Sequence, residues 1–181
     1  MDTEIRAKRI RLLIFDVDGV LTNGQIVIGR DGEILKKFYA QDGLGITAAH
    51  RAGLKTAIIT GRQSDIVSIR GAELKITDVY QGAMNKVTAL EQLLAKHKLT
   101  LEQVGYVGDD LNDLAIMLQV GLACAVADAV PEVKAKAHFV AVHAGGKGAV
   151  REIIEMILKA QNRWDEVLAS YSRPGIIETR Q

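Results

Sequence analysis

The stretch LLIFDVDGVLT, residues 12–22, is an apolar run that ends in two carboxylates one residue apart, followed at once by glycine. An apolar run of this length without polar alternation suits a strand covered on both faces, as in a parallel sheet. Successive side chains of a strand alternate sides, so Asp16 and Asp18 are expected to share a side at the carboxyl end of that strand. Gly19 then permits a sharp turn. Burying charge at such a place is costly unless it is paired, hydrogen-bonded or bound to a metal.

Working outward, further Val- and Ile-rich runs at 55–60, 77–80, 103–108 and 122–127 read as strands. Helix-period segments lie between and beyond them. Val87, Leu90 and Leu94 form one stripe within 86–97, and Val150, Ile153, Ile154, Ile157 and Leu158 another within 148–160. Residues 42–53 and 63–73 are also expected to be helical. This alternation predicts an α/β fold, a doubly wound, Rossmann-like parallel sheet. Residues 24–38 depart from it: two short strand-like runs around Asp31-Gly32 predict a β-hairpin inserted after the first strand. The chain divides into one domain, 1–163, and a C-terminal tail, 164–181, with little helical pattern and an Arg-Pro-Gly turn. Trp164 and Tyr171 are candidate anchors for that tail.

Composition narrows the partners. The 181 residues carry 23 Lys and Arg against 22 Asp and Glu, without a basic stripe, so nucleic acid is not expected. No apolar run approaches the roughly 18 residues that span a membrane, and the N-terminus lacks a leader's apolar segment. The single cysteine, Cys124, lies in an apolar run and reads as a buried small hydrophobe. A cytoplasmic location is the expectation.

The other strand ends carry chemistry as well. Thr60 and Gly61 follow the second long run, and Asp109, Asp110 and Asp113 follow the fourth, within GDDLND at 108–113. Lys86 opens the helix between them. Parallel strands would bring all of these to one sheet edge, where open α/β sheets bind ligands. Several carboxylates so close repel unless a cation lies among them, and hard oxygen donors favour Mg²⁺. A hydroxyl, an ammonium and free backbone N–H groups then suit a phosphoryl group.

In order, DVDGVLT (16–22), TGR (60–62), Lys86 and GDDLND (108–113) resemble the four motifs of haloacid dehalogenase superfamily phosphatases. The resemblance implies that Asp16 attacks phosphorus to form an aspartyl-phosphate, and that Asp18 serves as acid and then base. It implies that Asp16, the backbone carbonyl of Asp18, and Asp109 hold Mg²⁺. Thr60 and Lys86 would bind phosphoryl oxygens, while Asp110 or Asp113 supports Lys86 or a metal-bound water. Only 41 residues separate Asp18 from Thr60, and 25 separate Thr60 from Lys86, too few for the cap domain many such enzymes insert. A capless site is open, for a large substrate or for cover by a neighbouring subunit.

KFYAQDGLGI (37–46), ITGRQSDIVSIRGAEL (59–74), VYQGAMNK (79–86) and GGKGAVRE (145–152) resemble the family of 3-deoxy-D-manno-octulosonate 8-phosphate phosphatases. That resemblance implies a small-molecule sugar phosphate substrate from lipopolysaccharide biosynthesis. It also implies a homotetramer whose hairpins and tails close neighbouring sites, with Ile176 and Ile177 docking and Arg173 or Arg180 near the anionic ligand. Arg62 and Arg70 are candidates for the sugar acid's carboxylate. GGKGAV is either an anion cradle at a helix start or a flexible loop, and His143 lies beside it. Two positions depart from the family pattern: Asn23 replaces a usual Asp, and Lys75 a usual Gly. The rival readings are a phosphatase for a nine-carbon sugar acid 9-phosphate, a capless phosphatase for nucleic acid or protein, and a non-catalytic module of the same fold. A signalling receiver domain would place its acidic pair and phosphoacceptor on different strands, unlike DVDG.

Overall fold

In the computed structural model, residues 2–172 are described; the expectations for Arg173, Ile176, Ile177 and Arg180 lie outside them. A six-stranded parallel sheet has the order β5-β4-β1-β6-β7-β8. These strands are β1 (Leu12–Phe15), β4 (Lys55–Ile59), β5 (Asp78–Tyr80), β6 (Val104–Gly108), β7 (Leu122–Ala125) and β8 (Phe139–Val140). The pair β2 (Val27–Gly29) and β3 (Gly32–Leu35) forms a separate antiparallel hairpin. Each long strand expected from the sequence is present, shortened by a residue or two. The two-residue β8 escaped the reading because its apolar run, residues 139–142, is short and bounded by His138 and His143.

From β1 the chain steps outward through β4 to β5. It then returns to the other side of β1 with β6 and continues through β7 to β8. The order therefore reverses between β1 and β6, and the crevice beyond their carboxyl ends is where such sheets hold ligands. On the flanks lie α2 (Ala40–Arg51), α3 (Asp65–Glu73), α4 (Lys86–His97), α5 (Leu114–Met117), α6 (Pro131–Lys134) and α7 (Ala149–Ala160). A short helix α1 (Thr3–Ala7) packs on α7, as does α2, while α4 packs on α5. The core residues of β1, Leu12 through Phe15, are fully buried, as expected for a central strand. Among the described residues, no helix is long and apolar enough to cross a membrane.

Two readings change. The stripe of α4 comprises Lys86, Ala89, Leu90 and Leu93, with Leu94 and Val87 only partly buried. The expected stripe was displaced because a lysine occupies its first buried position. The region from Trp164 is also not free of helical pattern. A helix, α8 (Trp164–Ser172), packs on α7, burying Trp164 and Val167. The guanidinium of Arg151 lies 5.2 Å from the centre of the Trp164 ring. The spacing Trp164, Val167, Leu168, Tyr171 carries the helical period that the reading overlooked.

Candidate active site

Local chain geometry builds the site's floor. Beyond Phe15, Asp16 is extended, and its Oδ1 accepts a hydrogen bond from the Val17 N–H at 2.7 Å. Val17–Leu21 then form one wide turn in which Gly19 has φ 94°. A side chain at Gly19 is excluded twice, by this left-handed backbone and by Asp109, whose Oδ2 would lie 1.9 Å from a Cβ atom. Gly145 packs equally closely on the same turn: its Cβ would fall 1.6 Å from the Gly19 carbonyl oxygen, and Gly146 N–H donates to the Val20 carbonyl at 2.9 Å. GGKGAV thus braces the turn, and the anion at the start of α7 is the protein's own. The N–H groups of Gly148 and Arg151 donate to the Asp42 carboxylate at 3.2 and 2.9 Å. His143 faces Glu152 at 2.8 Å on the surface.

The sheet edge gathers Asp16, Thr60, Lys86, Asp109 and Asp113. Lys86 is buried, with its Nζ 2.9 Å from Asp16 Oδ2 and 2.6 Å from Asp113 Oδ1. It also donates to the Tyr106 hydroxyl at 3.1 Å. That hydroxyl donates to Asp113 Oδ1 at 2.6 Å, while Asp113 Oδ2 accepts from the Asp109 N–H at 2.8 Å. Asp113 is completely buried, with both oxygens engaged. It therefore supports Lys86, which divides what the sequence left open between Asp110 and Asp113. Asp110 is exposed and caps the next turn through the Leu111 N–H.

Burial pushes the Asp16 carboxyl up from 3.8 to about 6, with the Asp113 charge adding and Lys86 opposing. Burial, then the charges of Asp113, Asp16 and Asp110, lift Asp109 to about 8. For Lys86, burial favours the neutral amine, but Asp16 and Asp113 outweigh it and hold the ammonium above its ordinary range. One oxygen from each of Asp16, Asp109 and Asp113 lies within 4.8 Å of the others, a spacing able to hold a metal ion. Asp109 Oδ1 is buried without a hydrogen-bond partner, a lone pair left for a cation. The oxygens of Asp113 are already occupied, so Asp16 and Asp109 are the better donors.

β1 ends at Phe15, so Asp18 lies in the turn rather than in the strand. Its carboxylate meets Lys36 of the hairpin at 2.5 Å, with Arg62 Nε at 3.8 Å. The Lys36 side chain is 1% exposed and also reaches Glu33 at 2.8 Å, and Glu33 accepts from the hydroxyl of Ser64. The sequence reading missed Lys36, Glu33, Ser64 and Tyr106. A lysine two residues from an exposed Ile, on a hairpin, carries no signal of burial until the hairpin is folded onto the turn.

Arg62 is exposed at the rim, and Gly61 opens onto free space. Arg70 is not brought to these groups: its guanidinium lies 5.7 Å from the centre of the Phe38 ring and bonds Glu73 at 3.2 Å. Asn23 forms a local turn with Gln25. Lys75 holds the left-handed φ of 57° that follows α3, where glycine is cheaper. Cys124 is fully buried and burial pushes its thiol up, as the expected small hydrophobe.

Residues 63–154 match the haloacid dehalogenase-like hydrolase family. A 3-deoxy-D-manno-octulosonate 8-phosphate phosphatase of Escherichia coli K12 is 49% identical over 165 residues, covering 91% of this chain and 88% of its own. The crystal structure of such a phosphatase from Yersinia pestis is 48% identical with a TM-score of 0.89, covering 91% of this chain and 89% of that one. The Moraxella catarrhalis phosphatase, solved with magnesium, phosphate and KDO, is 41% identical with a TM-score of 0.91, covering 94% of this chain and 98% of that one. With this fold and these relatives, the chain belongs to the 3-deoxy-D-manno-octulosonate 8-phosphate phosphatase family of haloacid dehalogenase-like hydrolases and is a phosphoric monoester hydrolase.

Proposed function

We propose that the chain hydrolyses 3-deoxy-D-manno-octulosonate 8-phosphate through an aspartyl-phosphate on Asp16. The observation that carries this reading is the buried Asp16 carboxylate, held 2.9 Å from the Lys86 ammonium at the switch point of the sheet. A carboxylate held by Lys86 at Oδ2 and by the Val17 N–H at Oδ1 has one orientation from which to attack phosphorus. Lys86 offsets the charge that the phosphoryl group brings. The Thr60 hydroxyl at the tip of β4 and the N–H groups of the Gly61 loop are its further partners. Asp18 gives its proton to the leaving alkoxide oxygen, then takes one from the water that cleaves the acyl phosphate. Lys36 and Arg62 hold Asp18 toward the leaving-group side. A divalent cation, Mg²⁺ in this reading, would be held by Asp16, Asp109 and the backbone carbonyl of Asp18, and supplies neutralisation of phosphoryl charge when bound.

The substrate assignment rests on the 49% identity to the Escherichia coli phosphatase and on the Moraxella catarrhalis complex. The site residues form a capless edge, and the hairpin exposes Ile26, Ile28, Ile34 and Leu35. An isolated two-stranded hairpin is marginal in water, which supports assembly through these hairpins, read here as a homotetramer; a cytoplasmic location goes with this reading. Within the tail, residues 164–172 form a helix packed on α7. The decisive experiment is phosphate release from a panel of sugar phosphates, with and without EDTA. The eight-carbon acid phosphate should have the highest kcat/KM, chelation should abolish turnover, and Asp16→Asn should be inactive. Substantial turnover by Asp16→Asn would sink the covalent route, and preference for a nine-carbon acid phosphate would sink the substrate.

A further inference from the structure

At the opposite edge of the sheet, where β1, β4 and β6 begin, lies a recess of about 740 Å³ that the phosphatase chemistry does not use. Its walls carry Lys8, Arg11, Lys55, His97, Lys98 and Arg163, and no Asp or Glu lines it. In a chain of net charge +1, five formal positive charges around one recess are a local excess. Some of these groups are partnered. Lys8 pairs with Glu4 at 2.6 Å. The Lys55 Nζ lies 3.0 Å from His97 Nδ1, and the other nitrogen of that ring faces Asp78 at 2.8 Å. Lys55 therefore meets a ring nitrogen rather than a carboxylate, and its charge is not cancelled by its partner. The side chains of Arg11, Lys98 and Arg163 have neither a hydrogen bond nor an ion pair among the described residues. Three unpaired cations and Lys55 thus face one concavity whose apolar floor is the half-buried Leu99, over the buried Ile10 and Leu54.

Cations on a convex face are solvated and mean little, but cations around a low-dielectric recess focus their field into it. The volume lies in the range of pockets that hold drug-sized ligands and exceeds what one phosphate ion needs. Arginine forks match phosphate oxygens in pairs, and the apolar floor suits a ring stacked behind them. No Phe, Tyr or Trp lines the recess, so it lacks the row of stacking platforms of single-strand nucleic-acid sites. We propose that this recess binds a small molecule carrying two or more phosphate groups, of the nucleoside di- or triphosphate class. The site is remote from Asp16 and does not depend on the assigned reaction.

The test is equilibrium binding of a non-hydrolysable ATP analogue, ADP, pyrophosphate and inorganic phosphate to the intact protein at physiological salt. One analogue molecule should bind per chain, more tightly than inorganic phosphate, and binding should weaken as salt rises. Arg11→Gln and Arg163→Gln lie on exposed positions and should each weaken it about tenfold or more. Turnover of the sugar phosphate should stay unchanged in both. Asp109→Ala should leave the analogue's affinity unchanged, because the recess is elsewhere. Pyrophosphate binding as tightly as the nucleotides would retain the phosphate site and remove the role of the apolar floor. The proposal is overturned if no probe saturates, if the arginine variants bind like the parent, if Asp109→Ala abolishes binding, or if a short RNA binds more tightly than the nucleotides.

Discussion

Replacing Asp113 by alanine separates two opposed effects at the centre of the site. The carboxylate accepts close hydrogen bonds from Lys86 Nζ, the Tyr106 hydroxyl and the Asp109 N–H, at 2.6, 2.6 and 2.8 Å. All three donors belong to a buried or half-buried network, and each left unpaired costs about 1–3 kcal/mol, more where charge is involved. Against this, the substitution relieves repulsion. The rise of Asp16 from 3.8 to about 6 amounts to roughly 3 kcal/mol from all causes together, with burial first and Asp113 second. Removing Asp113 returns only part of this, because burial is the larger cause. Lys86 keeps Asp16, so its charge is not stranded. The net loss is about 3–5 kcal/mol, in line with breaking a buried ion pair. For a domain of this size that lowers Tm by roughly 6–20 °C. Thermal and urea unfolding of the metal-free protein, followed by circular dichroism, measure it directly. Asp113→Asn, which keeps an acceptor for Lys86, should fall between. If Asp113→Ala unfolds within about 1 kcal/mol of the parent, the buried network is not what holds Lys86, and the support role argued for Asp113 is wrong.

Asp16 and Asp109 are raised on folding, to about 6 and about 8, so the folded state keeps protons that the unfolded chain has lost. Metal-free stability should be greatest below pH 4 to 5 on this account and fall as pH rises toward 8; Tm in EDTA that rises across that window contradicts it. Added Mg²⁺ should raise Tm more at pH 8 than at pH 5, because the carboxylates are then already ionised. Lys36→Met should lower kcat for an alkyl phosphate much more than for p-nitrophenyl phosphate, whose leaving group needs no proton, and Lys36→Arg should restore part of it. Equal losses on both substrates would mean that Lys36 only fastens the hairpin. Lys75→Gly should add about 0.5–1 kcal/mol, since φ 57° strains a lysine and not a glycine; no gain in urea midpoint would show that the strain is relieved elsewhere.

Strand by strand, the sheet was legible because buried parallel strands are short, apolar and bounded by turn residues. Asp16, Thr60, Lys86 and Asp109 were legible because parallel strands end on one edge, and the structure does bring them together. Groups whose burial depends on tertiary packing were not. Tyr106 lies inside a strand and reads as an ordinary aromatic core residue, yet its hydroxyl joins Lys86 to Asp113. Nothing local to Lys36 and Glu33 signals that the hairpin folds against Asp18 and Ser64. Asp18 lies three residues past the end of β1, in the turn, where the strand rule no longer applies. Arg70 could not be placed from its spacing alone: the structure sets it against Phe38 and Glu73.

The charge count at the sheet edge explains why these errors did not hide the site. Asp16, Asp109 and Asp113 bring three potential negative charges within 4.8 Å, and Lys86 alone answers them from the buried side. With all three ionised, the cluster is two positive charges short. The protein on its own meets that shortfall by holding protons: burial first, and this repulsion after it, push Asp16 and Asp109 up. A divalent cation of charge +2 meets it without protons, and the unpartnered Asp109 Oδ1 is where the fold leaves a ligand atom open. The same imbalance that weakens the metal-free fold at neutral pH is thus what gives the site its affinity for a hard cation. Correcting it with a second buried lysine or a neutral amide would stabilise the fold and remove the reason for the metal to bind.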